Sequence, residues 1–457
     1  MAWRIQPSEQ SADWPSVTDV HLDFKSVSTK TVRLEQPDRR DLYAKKKMEL
    51  PVPSSPMLGQ TDSSDFLFGV STTYNRIIHD DLAMVKAWAR WFTDSRHRSN
   101  GASLVVVLDQ AGTAQVEEVD NMLQASGIDC WVTTTEEPMS LARRYFELSR
   151  ILKTFAANLA ANGQDKRWFG LVEDDVFFPS LANLRERLYN YNTDGMHYIA
   201  LPSERDDWEE EEGKLRTYGG GAIMLTRSAV ARVPELPCFV MDGSKSGEPV
   251  RPKRWDGLFH DCILDHSEMD MHILTGFYDP RDEKYDPNTN SYENGLQPLL
   301  LRRYEERHAI DINKAHLVTN VCGEYCFMQR YLFHDNWVLV NGISLSQYPE
   351  GVRIEQPERT VGTETVQARV DKEYGKLQMP DRVILDGDGK EDTDRTALSW
   401  TGKKNTWRLM DSALSKNGEV WQAYVKKAIV KPDTPEDEKM DSVIVLIWEH
   451  GKITTNS

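Results

Sequence analysis

The sequence has no apolar stretch long enough to span a bilayer, and its opening Met1–Gln10 lacks the apolar core of a signal peptide. No Asn-X-Ser/Thr triplet occurs, so glycosylation gives no support for a secretory route. An excess of positive charge is also missing. The formal net charge is -17 at pH 7, which argues against nucleic acid or an anionic membrane surface as partner, because both demand a basic face. Cysteine is scarce. Cys130, Cys238, Cys262, Cys322 and Cys326 form an odd set, so at least one thiol is free or pairs between chains, and at most two disulfides are expected. Cys322 and Cys326 are close enough to crosslink a turn, but the pair offers too few ligands for zinc.

What is present suits a packed protein. Hydrophobic residues make up 39% and charged residues 28% of 457, which excludes global disorder and allows one large domain with an appendage, or two ordinary domains. Thirteen Trp and sixteen Tyr would suit stacking against the apolar faces of sugars. A large α/β core uses rings equally freely.

Residues 1–64 mix charge, Ser and Pro without sustained periodicity and read as an irregular stem or arm. From Asp65 the pattern changes. Short apolar runs at 66–70, 103–108, 130–133 and 168–172 read as buried strands, and helical spacing appears at 82–92, 116–125 and 141–159. Strands at 197–201 and 217–226 continue the core, with the acidic run 208–212 between them as a solvated loop. Residues 242–255 and 279–297 read as polar loops. Alternating strands and helices predict an α/β fold with a doubly wound, mostly parallel sheet over 65–354. Residues 355–457, with strand patterns at 382–385, 420–425 and 442–448, predict a small β-rich appendage. In doubly wound sheets ligands sit beyond the carboxyl ends of the strands, where Ser71–Arg76 and Glu173–Asp175 fall.

The sharpest chemical signal is Glu173-Asp174-Asp175, held between the apolar runs 168–172 and 176–178. Carboxylates pinned together repel one another unless a cation offsets them. Hard oxygen ligands favour Mn²⁺ or Mg²⁺, which leave positions for phosphate oxygens and water. Such an ion neutralises charge growing on a diphosphate leaving group. Gly219, Gly220 and Gly221 ahead of an apolar strand allow close backbone approach to a ligand, or form a bulge. The segment 255–272 offers Asp256, Asp261, Asp265, Glu268 and Asp270 as candidates for a single general base.

Phe68-Gly-Val-Ser-Thr-Thr-Tyr74, Glu173-Asp-Asp-Val-Phe-Phe-Pro-Ser180, Gly219-Gly-Gly-Ala-Ile-Met-Leu-Thr226 and Val321-Cys-Gly-Glu-Tyr-Cys-Phe-Met-Gln-Arg330 resemble the fungal branch of glycosyltransferase family 31, related to fringe and the β-1,3-galactosyltransferases. The likeness continues through Trp337–Gly342 and Tyr348-Pro349. It implies a GT-A-type (Rossmann-like) fold, a UDP-sugar donor, Mn²⁺ and transfer with inversion to a glycan or glycoprotein acceptor. It also implies a type II protein of the Golgi lumen, its membrane anchor missing from a trimmed chain. Carried over by residue, the resemblance gives Asp175 to the metal and Asp174 to metal and ribose. Thr72, Thr73, Arg76 and Asp109 then face the nucleotide, and Gly220 and Gly221 lie beside it. Asp270 becomes the base, with Glu268 and Asp261 behind it. Where the family supplies a metal ligand from His-His-Trp, this chain reads Arg302-Arg303-Tyr304. Either His308 or His316 substitutes, or Arg302 and Arg303 bind the diphosphate directly. Some members transfer β-galactofuranose to cell-wall glycans, which makes UDP-galactofuranose the leading donor expectation, with UDP-galactose or a UDP-N-acetylhexosamine as alternatives. A metal-dependent glycoside or phosphate hydrolase and a catalytically silent sugar-binding protein are the competing readings.

Overall fold

The computed structural model describes residues 1–10, 17–27, 29, 31, 44, 46–94, 96–189, 191–202, 207–211, 214–238, 254–274, 299–355, 369–371, 376–378, 397–428 and 440–450. The strand expected at 382–385, the loop expected at 279–297 and most of that at 242–255 lie outside these residues.

Seven strands form the central sheet: β1 (Phe66–Thr72), β2 (Ser103–Leu108), β3 (Asp129–Thr134), β4 (Trp168–Val172), β5 (Tyr198–Ala200), β6 (Ala222–Thr226) and β7 (Met271–Ile273). Their order is β3-β2-β1-β4-β6-β5-β7. Only β6 runs antiparallel to its neighbours. The expected mixed α/β fold with a mostly parallel sheet is therefore found. Every residue of β1, β2 and β4 is buried, which is why these strands read as unbroken apolar runs rather than alternating ones.

Alternate residues supply two cores. Leu67, Val105, Phe169 and Leu171 pack with Tyr145, Leu148 and Leu152 of the long helix Leu141–Ala161, and with the helix Trp255–His266. Phe66, Phe68, Val70, Leu104 and Val106 pack on the other face, in a cluster that includes Trp88 and Phe92 of the helix Ala83–Phe92. A period of two sends successive side chains to opposite faces, so one strand serves both layers.

Two local expectations change. Residues 208–211 are a strand, not a loop, paired antiparallel with Lys214–Thr217. The strand expected over 217–226 breaks at Gly219, Gly220 and Gly221, all at positive φ, before β6 begins.

The expected irregular arm 1–64 is corrected further. Ala2–Gln10, Val17–Val20 and Lys46–Pro53 are strands of a second, nine-stranded sheet. Ala2–Gln10 lies between Lys46–Pro53 and Ser442–Trp448, parallel to both. Val17–Val20 pairs with Arg330–Phe333 at the far end. The remaining strands are Trp337–Val340, Ser344–Gln347, Asn405–Leu414 and Val420–Lys426. The two outermost strands come together: Gln329 Nε2 donates to Thr18 Oγ1 (3.2 Å) and to the Pro51 carbonyl (3.4 Å), and the Tyr331 hydroxyl donates to the same carbonyl (3.0 Å). The sheet is thus barrel-like, and it mixes strands from before residue 64, from 330–347 and from beyond 355.

Both disulfides allowed by the cysteine count are present, Cys238–Cys262 and Cys322–Cys326, leaving Cys130 as the free thiol.

Candidate functional site

The chain leaves β4 at Val172 and enters Glu173-Asp174-Asp175 at the carboxyl edge of the parallel strands. Asp109, which follows β2, lies at the same edge, its backbone N–H bonded to the Thr72 carbonyl at 2.8 Å. After the acids, Val176–Phe177 pairs antiparallel with Leu301–Arg302. That pairing fixes the backbone and sends the three carboxylates different ways.

Glu173 points inward. It accepts from Trp255 Nε1 at 2.8 Å and from Arg302 Nε and Nη2 at 2.7 and 2.8 Å. Arg302 also donates to Asp207 at 2.7 Å, and Asp207 accepts from Arg307 at 3.1 Å. Asp207 is 0% exposed and Arg302 3%. The two carboxylates hold the Arg302 guanidinium more firmly protonated than an isolated arginine. This corrects the expectation that Arg302 binds a diphosphate: its donors are committed to Glu173 and to buried Asp207.

The glycines follow from that arrangement. A Cβ on Gly221 (φ +87) would lie 2.5 Å from Arg302 Nε, and one on Gly220 (φ +68) 2.5 Å from Pro202 Cα. Gly220 and Gly221 make room for the protein's own buried arginine and backbone, rather than for a ligand as expected.

Asp174 points to the helix that follows β1. It accepts from the Thr72 hydroxyl in a short hydrogen bond. Arg76 holds it bidentately through one edge of its guanidinium, Nε to Oδ2 at 2.7 Å and Nη2 to Oδ1 at 2.8 Å. Thr73 caps that short helix, Tyr74–Ile78, its hydroxyl accepting from the Arg76 N–H. Asp109 pairs with Arg144 and accepts from the Thr135 hydroxyl at 3.3 Å.

Asp175 differs from its neighbours. Its Oδ1 is buried with no hydrogen-bond partner, and the nearest cation is Arg303, with Nε 3.8 Å from Oδ2. Burial, with Glu173 and Asp174 beside it, pushes its carboxyl up to about 6. Arg303 itself sits in the left-handed region (φ 49, ψ 38) ahead of the helix Tyr304–His308. That conformation is costly for a residue with a Cβ and recurs at functional sites.

Asp174, Asp175, Arg76 and Arg303, but not Glu173, Thr72, Thr73 or Asp109, line a cleft of about 440 Å³, within the range of small-molecule sites. One wall is Asn75, Arg76, His79, Asp80, Ala83 and Met84, the other Arg303, Tyr304, Glu305 and Glu306, with Asp174 and Asp175 between them. Five carboxylates (Asp80, Asp174, Asp175, Glu305, Glu306) face two arginines there, so the cleft is negative before anything binds. Partial burial, with Asp311 and Asp80 nearby, raises the Glu305 carboxyl above its ordinary value. A divalent cation fits this donor set, through the unpartnered oxygen of Asp175. Among the described residues the cleft acids do not converge as a trio of ligand atoms. The protein would therefore supply one or two ligands and leave the rest to phosphate or water, as Mg²⁺ and Mn²⁺ accept.

Not every expected residue arrives. β7 runs parallel to β5, in the direction shared by every strand of the sheet except β6, so Asp270, just before Met271, lies at the amino edge of the sheet with exposed Glu268 close by. Asp270 is near His272, not near Asp174. Asp261 lies along Trp255–His266, its carboxylate 3.5 Å from His260 Nδ1. Asp256, fully buried, is held by Arg254 (2.7 and 3.1 Å) and the Gly257 N–H. Asp265 is exposed. Neither histidine offered as a substitute ligand lines the cleft. His308 is buried and its carbonyl accepts from Arg408 at 3.1 Å. His316 is fully buried, Nε2 on the Pro179 carbonyl (3.0 Å) and Nδ1 against Arg90 (3.3 Å), and burial keeps it neutral. Sequence reading missed Asp207, Asp80, Glu305 and Glu306. Glu305 and Glu306 directly follow the Arg-Arg-Tyr segment that did attract notice.

No protein-family model matches the sequence, and no curated protein matches it. Solved structures match over about half of the chain. A glycosyltransferase of Streptococcus pneumoniae, GlyE, is 9% identical with a TM-score of 0.29, covering 47% of this chain and 46% of that one. The mannosyltransferase PcManGT of Pyrobaculum calidifontis, solved with GDP-Man and Mn²⁺, is 10% identical with a TM-score of 0.27, covering 51% and 61%. An inositol-1-phosphate CTP transferase of T. maritima is 12% identical with a TM-score of 0.26, covering 46% and 86%. This is a distant likeness to glycosyltransferases and nucleotidyltransferases alike. It identifies no family, and at these scores it says nothing about activity.

Proposed function

We propose that this chain is a glycosyltransferase that binds a nucleotide-diphosphate sugar in the acidic cleft and passes the sugar to an acceptor hydroxyl with inversion. The observation that carries the reading is Asp175, a partly buried carboxylate with an unpartnered oxygen, beside Glu173 and Asp174. Arg303, 3.8 Å from Oδ2, leaves Oδ1 unanswered, and a Mn²⁺ or Mg²⁺ ion held there would neutralise charge on a departing diphosphate. Arg303 and Arg76 on either side are suited to phosphate oxygens. Arg76 would have to exchange its grip on Asp174 for the ligand.

The base we assign to Glu305 rather than to Asp270, which lies at the wrong edge of the sheet. A carboxylate with a raised pKa on a cleft wall is a better proton acceptor near neutrality. UDP as the nucleotide, galactofuranose as the sugar and a cell-wall or protein-linked glycan as acceptor are finer parts of the same proposal. A Golgi setting with a membrane anchor is another; those parts rest on the motif resemblance alone.

The test is calorimetry of UDP with and without Mn²⁺, followed by a panel of UDP-sugars that includes UDP-galactofuranose, scored for donor hydrolysis or transfer to mannosides. The reading expects metal-dependent UDP binding and turnover of one donor. UDP binding without turnover of any donor would favour the silent sugar-binding alternative. No UDP binding in either condition would end the proposal.

A further inference from the structure

A second metal site suggests itself far from the cleft, on the rim of the nine-stranded sheet, and it does not depend on the proposed activity. Among the described residues, one group of His, Cys, Asp and Glu has its ligand atoms within 4.8 Å of one another: Asp19, His21 and His334, all exposed. Val17–Val20 and Arg330–Phe333 are parallel neighbours with Asp19 opposite Leu332 and Val20 opposite Phe333. Continued by one residue, that register sets His334 beside His21, and the His334 N–H does carry the ladder on to the Leu22 carbonyl at 3.2 Å. Asp19 and His21 are two apart and both exposed, while Thr18 and Val20, which alternate with them, are buried.

The ring geometry is informative. His21 Nδ1 and His334 Nε2 are 2.6 Å apart, with ring centroids at 4.8 Å and planes at 69°. At that distance one imidazole donates its N–H to the other's ring nitrogen, so both rings already turn a nitrogen toward the same point, and an ion held by both would replace that hydrogen and part the nitrogens to about 3.3 Å. The segment is also fixed from behind. Asp335 accepts from the Phe24 and Lys25 N–H groups at 2.8 and 2.7 Å, which anchors the turn after His21 to the turn carrying His334. Prepositioned ligands lose less freedom on binding.

We propose that Asp19, His21 and His334 form a binding site for a transition-metal ion of the Zn²⁺ class. Two imidazoles and one carboxylate suit Zn²⁺, with a coordination position left to water. The ion takes the place of the hydrogen between the rings and adds a clamp between Val17–Val20 and Arg330–Phe333, which the backbone ladder already pairs.

The full-length chain, stripped with EDTA, is titrated with Zn²⁺ by calorimetry and with Co²⁺ by visible absorption. Parallel titrations use Asp175→Ala, which disables the cleft, and His21→Ala, His334→Ala and the double histidine variant. The expected result is a Zn²⁺ event that survives Asp175→Ala and weakens by at least ~100-fold in either histidine variant, a larger loss than removal of an outer-sphere partner causes. A Zn²⁺ event that disappears with Asp175→Ala overturns the proposal. Unchanged stoichiometry and affinity in the double histidine variant overturns it equally. Thermal unfolding without metal shows whether the histidine variants are folded.

Discussion

Replacing Arg302 by Met separates a structural arginine from a ligand-binding one. The guanidinium bridges Glu173 and Asp207 through three bonds of 2.7–2.8 Å, and Asp207 has no exposed surface at all. Met keeps most of the stem's volume, so the change removes charge and donors while leaving packing largely intact. An exposed ion pair would contribute about 0–1 kcal/mol. Here the loss leaves Asp207 buried with one cation fewer and strips Glu173 of its charged partner, and breaking a buried pair this way costs about 3–5 kcal/mol. The expected outcome is a urea midpoint displaced strongly downward, with destabilisation toward the upper end of that range. Arg303→Met is the control. Its side chain is 48% exposed, so stability should move by less than ~1 kcal/mol while UDP affinity falls. If Arg302→Met unfolds like the parent protein and loses only nucleotide affinity, the assignment is wrong and Arg302 returns to the diphosphate.

Gly221→Ala strains the same network from the other side. Its Cβ would meet Arg302 Nε at 2.5 Å at a φ of +87, so about 1–3 kcal/mol of stability should be lost; a neutral result in the same denaturation assay would contradict the close approach. Asp175 sets a pH dependence. Its carboxyl is raised to about 6, above the ordinary value, so charging it in the folded state destabilises. That penalty is absent below about pH 4 and complete above about pH 6. Asp175→Asn should therefore be more stable than the parent at pH 7 and equal to it at pH 4. Mn²⁺ affinity of the parent should rise about tenfold per pH unit up to that value and then level off; a flat profile across pH 5–7 would count against Asp175 as ligand. Arg76→Ala frees Asp174, so Mn²⁺ alone should bind more tightly while UDP binds more weakly, measured by calorimetry; a parallel change in both would refute the competition. Glu305→Gln should leave UDP binding near that of the parent and lower transfer by roughly 10²–10⁴-fold, and full activity in that variant would send the search for a base elsewhere.

What the sequence discloses is local, and what it hides is the pairing of distant parts. Buried parallel strands announce themselves because both faces are covered, so 66–70, 103–108 and 168–172 stand out without any partner being known. The acids after Val172 stand out for the same reason, since apolar runs flank them. Residues 1–64 carried no such sign. Ala2–Gln10 takes its place in the sheet between Lys46–Pro53 and Ser442–Trp448, the latter more than 400 residues later, and a partly polar strand has no period that survives without its partners. Asp270 failed differently. Its residue type was right for a base, but whether a carboxylate before a short strand faces the ligand edge depends on strand direction, which β7 shares with β4 only through two intermediate antiparallel pairings. Arg302 shows the third limit. A basic pair standing where a metal ligand was expected invites a ligand role, yet Asp207, 95 residues away, already holds the Arg302 charge. The residues that remain for chemistry are those whose charge the rest of the chain answers incompletely, as Arg303 at 3.8 Å from one oxygen of Asp175 leaves the other without a partner. By that criterion Asp175, rather than the more conspicuous Asp174 or Glu173, is the one whose environment is incomplete until a cation arrives.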